Sequence, residues 1–309
     1  MKIKKNAILI IGGTGFIGYN LAKKCIKNNL IVFSLSTSKP KKIRKLKKVK
    51  YLIGNIKNFH NLKKVLKNIK FDFVVNCGGY VEHKDKQEVY NSHCRGCINL
   101  YNFFKDKNLK SFIQIGSSSE YGDVRVPHRE NYLCKPKGIY GQFKLKSTNF
   151  LLEKHNKCSF PVTILRFYQL YGPHQDFNRF IPQLIKASIN REKFLTSKGE
   201  QLRDFLFIDD AISGIIKSIS SRKSKGEIIN IGYGTAIKLK KIMSIVKRKN
   251  KFLNPDYGKV KIRTDEKVSV YPSIYKAKKK LNWFPKTSIK KGIHTTNKYY
   301  LKLLKKNNY

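Results

Sequence analysis

A run of apolar residues, Ala7–Ile11, passes directly into Gly12-Gly13-Thr14-Gly15-Phe16-Ile17-Gly18, and helical spacing (Ile17, Leu21, Cys25) follows. No other stretch limits the possible folds as strongly. A short, wholly apolar run suits a strand buried on both faces, as in a parallel sheet. Glycines at the passage from strand to helix suit a phosphate-binding turn. Gly12 permits the tight turn, Gly15 lets the backbone approach a pyrophosphate, and Gly18 lets helix and strand pack closely. The helix N-terminus adds N–H donors and a positive dipole end. The spacing is G-x-x-G-x-x-G rather than G-x-G-x-x-G. Taken alone, such a turn could also be a tight loop with no ligand.

The same alternation continues along the chain. Residues 31–35, 51–53, 73–75, 112–115 and 162–165 read as strands, and 16–28, 58–66, 89–104 and 139–153 as helices. This alternation predicts an α/β, Rossmann-type, doubly wound parallel sheet. After Arg166 the regularity falls, and Gly172-Pro173, Pro182, Gly199 and Asp209-Asp210 punctuate short segments. We read residues 1–166 as a dinucleotide-binding domain and 167–309 mainly as a smaller C-terminal substrate-binding lobe, with segments returning to the first domain. Ligands of such folds bind at the carboxyl edge of the strands.

The formal net charge is +47. Such a charge would suit nucleic acid or an anionic membrane. However, lysine far outnumbers arginine and is spread along the whole chain, and Asn, Ile, Tyr and Phe are also abundant. All have A/T-rich codons, so we read the charge as compositional and expect no specific nucleic-acid or membrane partner. A positive field would still attract an anionic nucleotide. No apolar run approaches a membrane span. The N-terminal apolar stretch runs into a glycine turn without a cleavage site, so a cytoplasmic protein is expected. Six cysteines (Cys25, Cys77, Cys94, Cys97, Cys134 and Cys158) do not make a disulfide scaffold in a chain of 309 residues. Cys94 and Cys97 lack a second pair at zinc spacing. Buried thiols and no metal site are expected.

Tyr140 and Lys144 sit four residues apart in a predicted helix, so they share one face. A nearby cation favours the phenolate, which makes tyrosine usable as proton donor and acceptor at cellular pH. Upstream lies the serine run Ser117 to Tyr121. The end of the second strand bears on cofactor choice, because an acid there binds a ribose 2′-hydroxyl whereas hydroxyls and cations suit a 2′-phosphate. The segment reads Ser34-Leu35-Ser36-Thr37-Ser38-Lys39, with Lys41, Lys42 and Arg44 beyond and no acid. It predicts NADP(H), with NAD as the alternative.

GGTGFIG at 12–18, GNI at 54–56, GSSSEYGD at 116–123, YGQFK at 140–144 and LRFYQLYGP at 165–173 occur in that order. NRFIP at 178–182, RDFLFIDD at 203–210, NIGYG at 230–234 and LNWFPK at 281–286 follow. Together they resemble the extended short-chain dehydrogenase/reductase family, also called the NAD-dependent epimerase/dehydratase family. Around residues 137–144 the chain has a general likeness to sugar-nucleotide 4-ketoreductases. The resemblance implies NAD(P) on the N-terminal domain and a nucleotide-diphosphate sugar on the C-terminal lobe. It implies that Tyr140 exchanges a proton with the sugar oxygen, that Lys144 lowers the tyrosine pKa and holds the nicotinamide ribose, and that Ser117 polarises the carbonyl. Capping of the strand end is the other role open to Ser117, and Ser118 and Ser119 are rivals for it.

The implied cofactor contacts are Gly12, Gly15, Phe16, Ile17, Gly18, Ser36, Thr37, Ser38, Lys39, Asn55, Ile56, Gly78 and Gly79, with Tyr140 and Lys144. The implied substrate contacts are Ser118, Ser119, Gln169, Asn178, Arg179 and Arg203. Arg203 matches an arginine that grips the diphosphate, a task suited to a guanidinium. Asp209-Asp210 match an acidic pair expected to be structural. The family's dehydratases carry Asp-Glu where this chain has Ser118 and Ser119, which cannot act as acid and base near neutral pH. His93 stands where Asn is usual, Gln169 also replaces Asn, and Asn55 replaces Asp.

The expected activity is NADPH-dependent reduction of a nucleotide-linked 4-keto-6-deoxy sugar in deoxysugar biosynthesis, with Tyr140 as proton donor. One alternative is an NAD-dependent nucleotide-sugar 4-epimerase, which needs the same three side chains and shows no net redox. From another class, a non-catalytic nucleotide- or RNA-binding protein would suit the charge. Family members pair through two long helices, so a homodimer through residues 89–104 and 139–153 is expected.

Overall fold

The apolar runs assemble into one parallel sheet. In the computed structural model, which describes residues 5–80, 85–261 and 267–306, its strands are β1 (Ala7–Ile11), β2 (Ile31–Ser36), β3 (Val49–Ile53), β4 (Phe73–Asn76), β5 (Ser111–Ser117), β6 (Val162–Phe167) and β7 (Ile228–Ile231). Their order is β7-β6-β5-β4-β1-β2-β3, and every pairing is parallel. Side chains alternate faces along a strand. Ile8 and Ile10 therefore enter one hydrophobic core, and Leu9 and Ile11 the other. That is why β1 reads as apolar throughout.

Helix α1 (Phe16–Lys27) packs on the first face. On the second face lie α2 (Phe59–Leu66), a helical run α3 and α4 (Ile139–Cys158). The α3 run is α-helical over Lys86–Val89, π-helical over Tyr90–Arg95 and α-helical again over Gly96–Phe104. Downstream come α5 (Phe180–Ile189), α6 (Ile208–Ser220), α7 (Leu239–Lys249), α8 (Tyr275–Leu281) and α9 (Ile289–Lys306). Small sheets join Gln169–Tyr171 to Phe205–Phe207, Leu202–Arg203 to Ile237–Lys238 and Ser269–Val270, and Lys193–Leu195 to Asn254–Asp256. Asp210 serves the fold: its carboxylate accepts from Thr287 N at 2.8 Å, and its carbonyl accepts from buried Trp283 Nε1 at 3.1 Å.

The strands and helices expected from the sequence are present with shifted ends. Two features go beyond that reading. β7 is only four residues long, like β4, but it lies in the irregular stretch, outside the strand–helix alternation that marks the others. The π-helical turn lies inside the stretch 89–104 that reads as a single helix, and such turns often mark functional sites. The cysteines are free, with Cys94 and Cys97 buried in α3. Burial pushes the Cys97 thiol up to about 12. No described helix is long and apolar enough to cross a membrane.

Candidate active site

The glycine turn follows β1 at the carboxyl edge of the sheet. Gly12 has φ +70°, its N–H bonds Leu35 O at 2.8 Å, and a Cβ there would sit 3.0 Å from Gly78 Cα. A side chain at this φ would be strained and would crowd the loop after β4. Gly15 precedes α1 without a side-chain cap, so no capping side chain competes with an anion for the first-turn N–H groups. A Cβ on Gly18 would collide with Gly12 O and Gly13 Cα. The turn is a cradle that side chains would fill, and it fits a dinucleotide pyrophosphate. Gly18→Val is therefore expected to weaken nicotinamide-dinucleotide binding at least about 100-fold, some 2.7 kcal/mol. Titration calorimetry of the folded variant measures this.

Ser36 ends β2 and accepts from Thr14 Oγ1 at 3.1 Å, which ties it to the turn. Thr37, Ser38 and Lys39 are exposed. Arg44 is only 5% exposed; it pairs with Asp176 at 2.9 Å and donates from Nε to His174 O at 3.1 Å. It is thus committed to the 174–176 loop and is not free for a 2′-phosphate, which removes one support for NADP(H). Asn55 accepts from Lys57 N at 3.0 Å within its own turn. Ile56 is buried, and its carbonyl accepts from Asn99 Nδ2 at 2.7 Å. Gly78 N donates to Asn76 Oδ1 at 3.1 Å.

Tyr140 and Lys144 project from one face of α4. Lys144 is buried and donates to Ile115 O at 2.6 Å, and its ammonium lies 5.9 Å from the centre of the Tyr140 ring. His93, in the π-helical turn, stands edge-on to Tyr140 at 5.1 Å and bonds Tyr80 O at 3.2 Å. Gly79 has no room for a Cβ beside the His93 ring. The π-helical turn thus gathers His93, the loop after β4 and Tyr140.

Ser117 caps the turn Ser118–Glu120: its Oγ accepts from Ser119 N at 3.1 Å, and its N–H bonds Glu120 Oε1 at 2.8 Å. A hydroxyl that accepts one bond keeps its own O–H to donate, so capping and carbonyl polarisation are compatible. Gly141 leaves room for α4 to begin against Ser119 O, which sets the serine turn beside the Tyr140 helix. Ser118 is half-buried and Ser119 exposed.

A buried polar group lies under this turn. Glu120 Oε2 accepts from Arg166 Nε at 2.9 Å and from Thr148 Oγ1 at 2.8 Å. The Arg166 guanidinium lies 4.5 Å from the centre of the Tyr121 ring, and Tyr121 OH bonds Asn230 Oδ1 at 2.7 Å. The sequence reading gave Glu120, Thr148 and Arg166 no site role. One signal was available: a charge inside an apolar strand, as at Arg166, needs a buried partner.

Among the residues expected to contact substrate, Arg203 is buried and donates to Leu202 O at 2.9 Å. Its neighbour Asp204 accepts from Tyr233 N and Gly234 N, each at 2.7 Å. Asn178, Arg179 and Gln169 are exposed, with Arg179 immediately before α5. A cavity of about 200 Å³ is lined by Phe180, Phe194, Thr196, Ser197, Gln201 and Leu239 among others. Among the described residues no group of three or more His, Cys, Asp or Glu could hold a metal.

Residues 8–232 match the NAD-dependent epimerase/dehydratase family. The chain is 28% identical to a UDP-glucuronate 4-epimerase of Thermodesulfobacterium geofontis, over 93% of this chain and 94% of that protein. A UDP-glucuronic acid 4-epimerase of Bacillus cereus, solved with UDP-glucuronic acid and NAD, is similar with TM-score 0.87 and 26% identity, covering 96% of this chain and 99% of that one. A UDP-glucose 4-epimerase of Thermotoga maritima, solved with UDP-glucose, shares the fold with TM-score 0.91 at 22% identity, covering 96% and 99%. The protein belongs to the NAD-dependent epimerase/dehydratase family.

Proposed function

We propose that the protein is an NAD-dependent 4-epimerase of a nucleoside-diphosphate sugar. The observation that carries this reading is the Tyr140–Lys144 pair beside a serine turn that has no carboxylate at positions 118 and 119. Such a site can move a proton at a sugar oxygen and lacks the acid and base that removal of water needs. The 4-epimerases to which the chain is similar span nearly its whole length, which supports epimerisation over reduction.

In this reading Tyr140 takes the proton of the sugar C4 hydroxyl and later returns it. The buried Lys144 ammonium stabilises the Tyr140 phenolate that accepts this proton, and the Ser117 O–H steadies the C4 oxygen. Bound nicotinamide supplies a hydride acceptor and donor at C4, so no net redox occurs. Inversion requires the sugar to turn over while its nucleotide stays fixed. Arg203 would hold the diphosphate, and the cavity beside α5 would take the base.

Reduction of a 4-keto sugar with NADPH is the second reading. It is favoured by Thr37, Ser38 and Lys39, which leave the end of β2 exposed and without an acid. Chromatography of incubations with UDP-glucose and UDP-glucuronate separates the two. Epimerisation gives the 4-epimer at an unchanged nicotinamide absorbance, with NAD retained through purification. Inert UDP sugars, together with stoichiometric NADPH loss on a nucleotide 4-keto-6-deoxy sugar, would replace the epimerase by the reductase.

A further inference from the structure

We propose that Glu120 is a positioning residue that locks the Ser117 turn to the helix carrying Tyr140 and Lys144. The inference rests on the role for Ser117 given above. Glu120 is fully buried, and both of its carboxylate oxygens are engaged. Oε1 holds the Ser117 N–H at 2.8 Å. Oε2 holds Thr148 Oγ1 at 2.8 Å and Arg166 Nε at 2.9 Å. One side chain therefore joins the end of β5, the middle of α4 and the end of β6.

Thr148 lies four residues beyond Lys144, on the same helix face. The link thus meets α4 one turn from the lysine, while Gly141 abuts Ser119 O at the helix start. The Ser117 turn thus meets α4 at two points, Gly141 beside Tyr140 and Thr148 one turn beyond Lys144. Gly116 has no room for a Cβ beside Glu120 Oε1, so the carboxylate is wedged under the strand with little freedom to move. Small displacements of reacting groups are expensive, since about 1 Å can cost about 10²-fold in rate. A glutamine at 120 would keep the shape, but its NH₂ cannot accept from Ser117, Thr148 or Arg166, so at least one tie is lost.

The test is a double-mutant cycle in the full chain with Ser117→Ala and Glu120→Gln, read by UDP-glucuronate and UDP-glucose epimerisation and by amide hydrogen exchange. Glu120→Gln is expected to lower kcat about 10- to 100-fold with KM within about twofold. Added to Ser117→Ala it should cost nothing further, because no hydroxyl is left to position. Exchange should quicken in both 117–121 and 139–148, whatever the substrate. Thr148→Val, which deletes one tie and no charge, should reproduce the exchange effect if Glu120→Gln fails to fold. Quickened exchange confined to 117–121, a wild-type kcat in Glu120→Gln, or losses that multiply in the double variant would overturn the coupling. A wild-type kcat in Ser117→Ala would instead remove the role of Ser117, and this inference with it.

Discussion

Tyr140→Phe is expected to reduce turnover by about 10²- to 10⁴-fold, the range of a lost general acid–base group. The ring would remain, and with it the edge-on packing against His93 at 5.1 Å. The Lys144 bond to Ile115 O at 2.6 Å does not involve the phenol and would also remain. Only the oxygen proposed to exchange the proton is removed. NAD affinity should change by less than about twofold, and the melting temperature by little, since surface-accessible changes without lost packing are usually within about 0.5 kcal/mol. Steady-state kinetics and titration calorimetry on one preparation check both halves. Wild-type turnover would mean that another group moves the proton.

Arg166→Met should have the largest effect on stability. Arg166 and Glu120 are 1% and 0% exposed and pair at 2.9 Å. Without the guanidinium the carboxylate has no counter-charge in a buried site, a change that costs about 3–5 kcal/mol. At about 2–4 °C per kcal/mol for a chain somewhat smaller than this one, the melting temperature should fall roughly 6–20 °C. Replacing both partners, as in Arg166→Met with Glu120→Leu, removes both buried charges and should recover most of that loss. Activity should not recover with it, because Ser117 N and Thr148 would still lack their acceptor. Scanning calorimetry with a parallel turnover assay separates the two effects. A single variant that melts within about 2 °C of wild type would show that Glu120 finds another partner.

The parts of the molecule that could be read in advance have local causes. β1 is apolar throughout because both of its faces are buried, and the glycines of the following turn answer a steric demand within a few residues. Tyr140 and Lys144 were legible because helical geometry alone puts them on one face. The Glu120 junction was not, because its partners Thr148 and Arg166 lie 28 and 46 residues away. Arg44 reads as one surface cation among many in a lysine-rich chain. It is buried because the loop at His174, 130 residues distant, folds over it. The small sheets after β6 have strands of two or three residues, too short to carry a period. The substrate side was therefore reached through motif resemblance rather than pattern. The π-helical turn that brings His93 to Tyr140 has no compositional mark at all.

The most direct test of 4-epimerisation at the Tyr140–Lys144 site is the fate of deuterium placed at C4 of UDP-glucuronate and UDP-glucose. Mass spectrometry of the products should find the label retained at C4 of the 4-epimer, with none passed to solvent or to added nicotinamide cofactor. Label washed into water, or collected in free reduced cofactor, would contradict a closed oxidation and reduction at C4, and the epimerase assignment would fall.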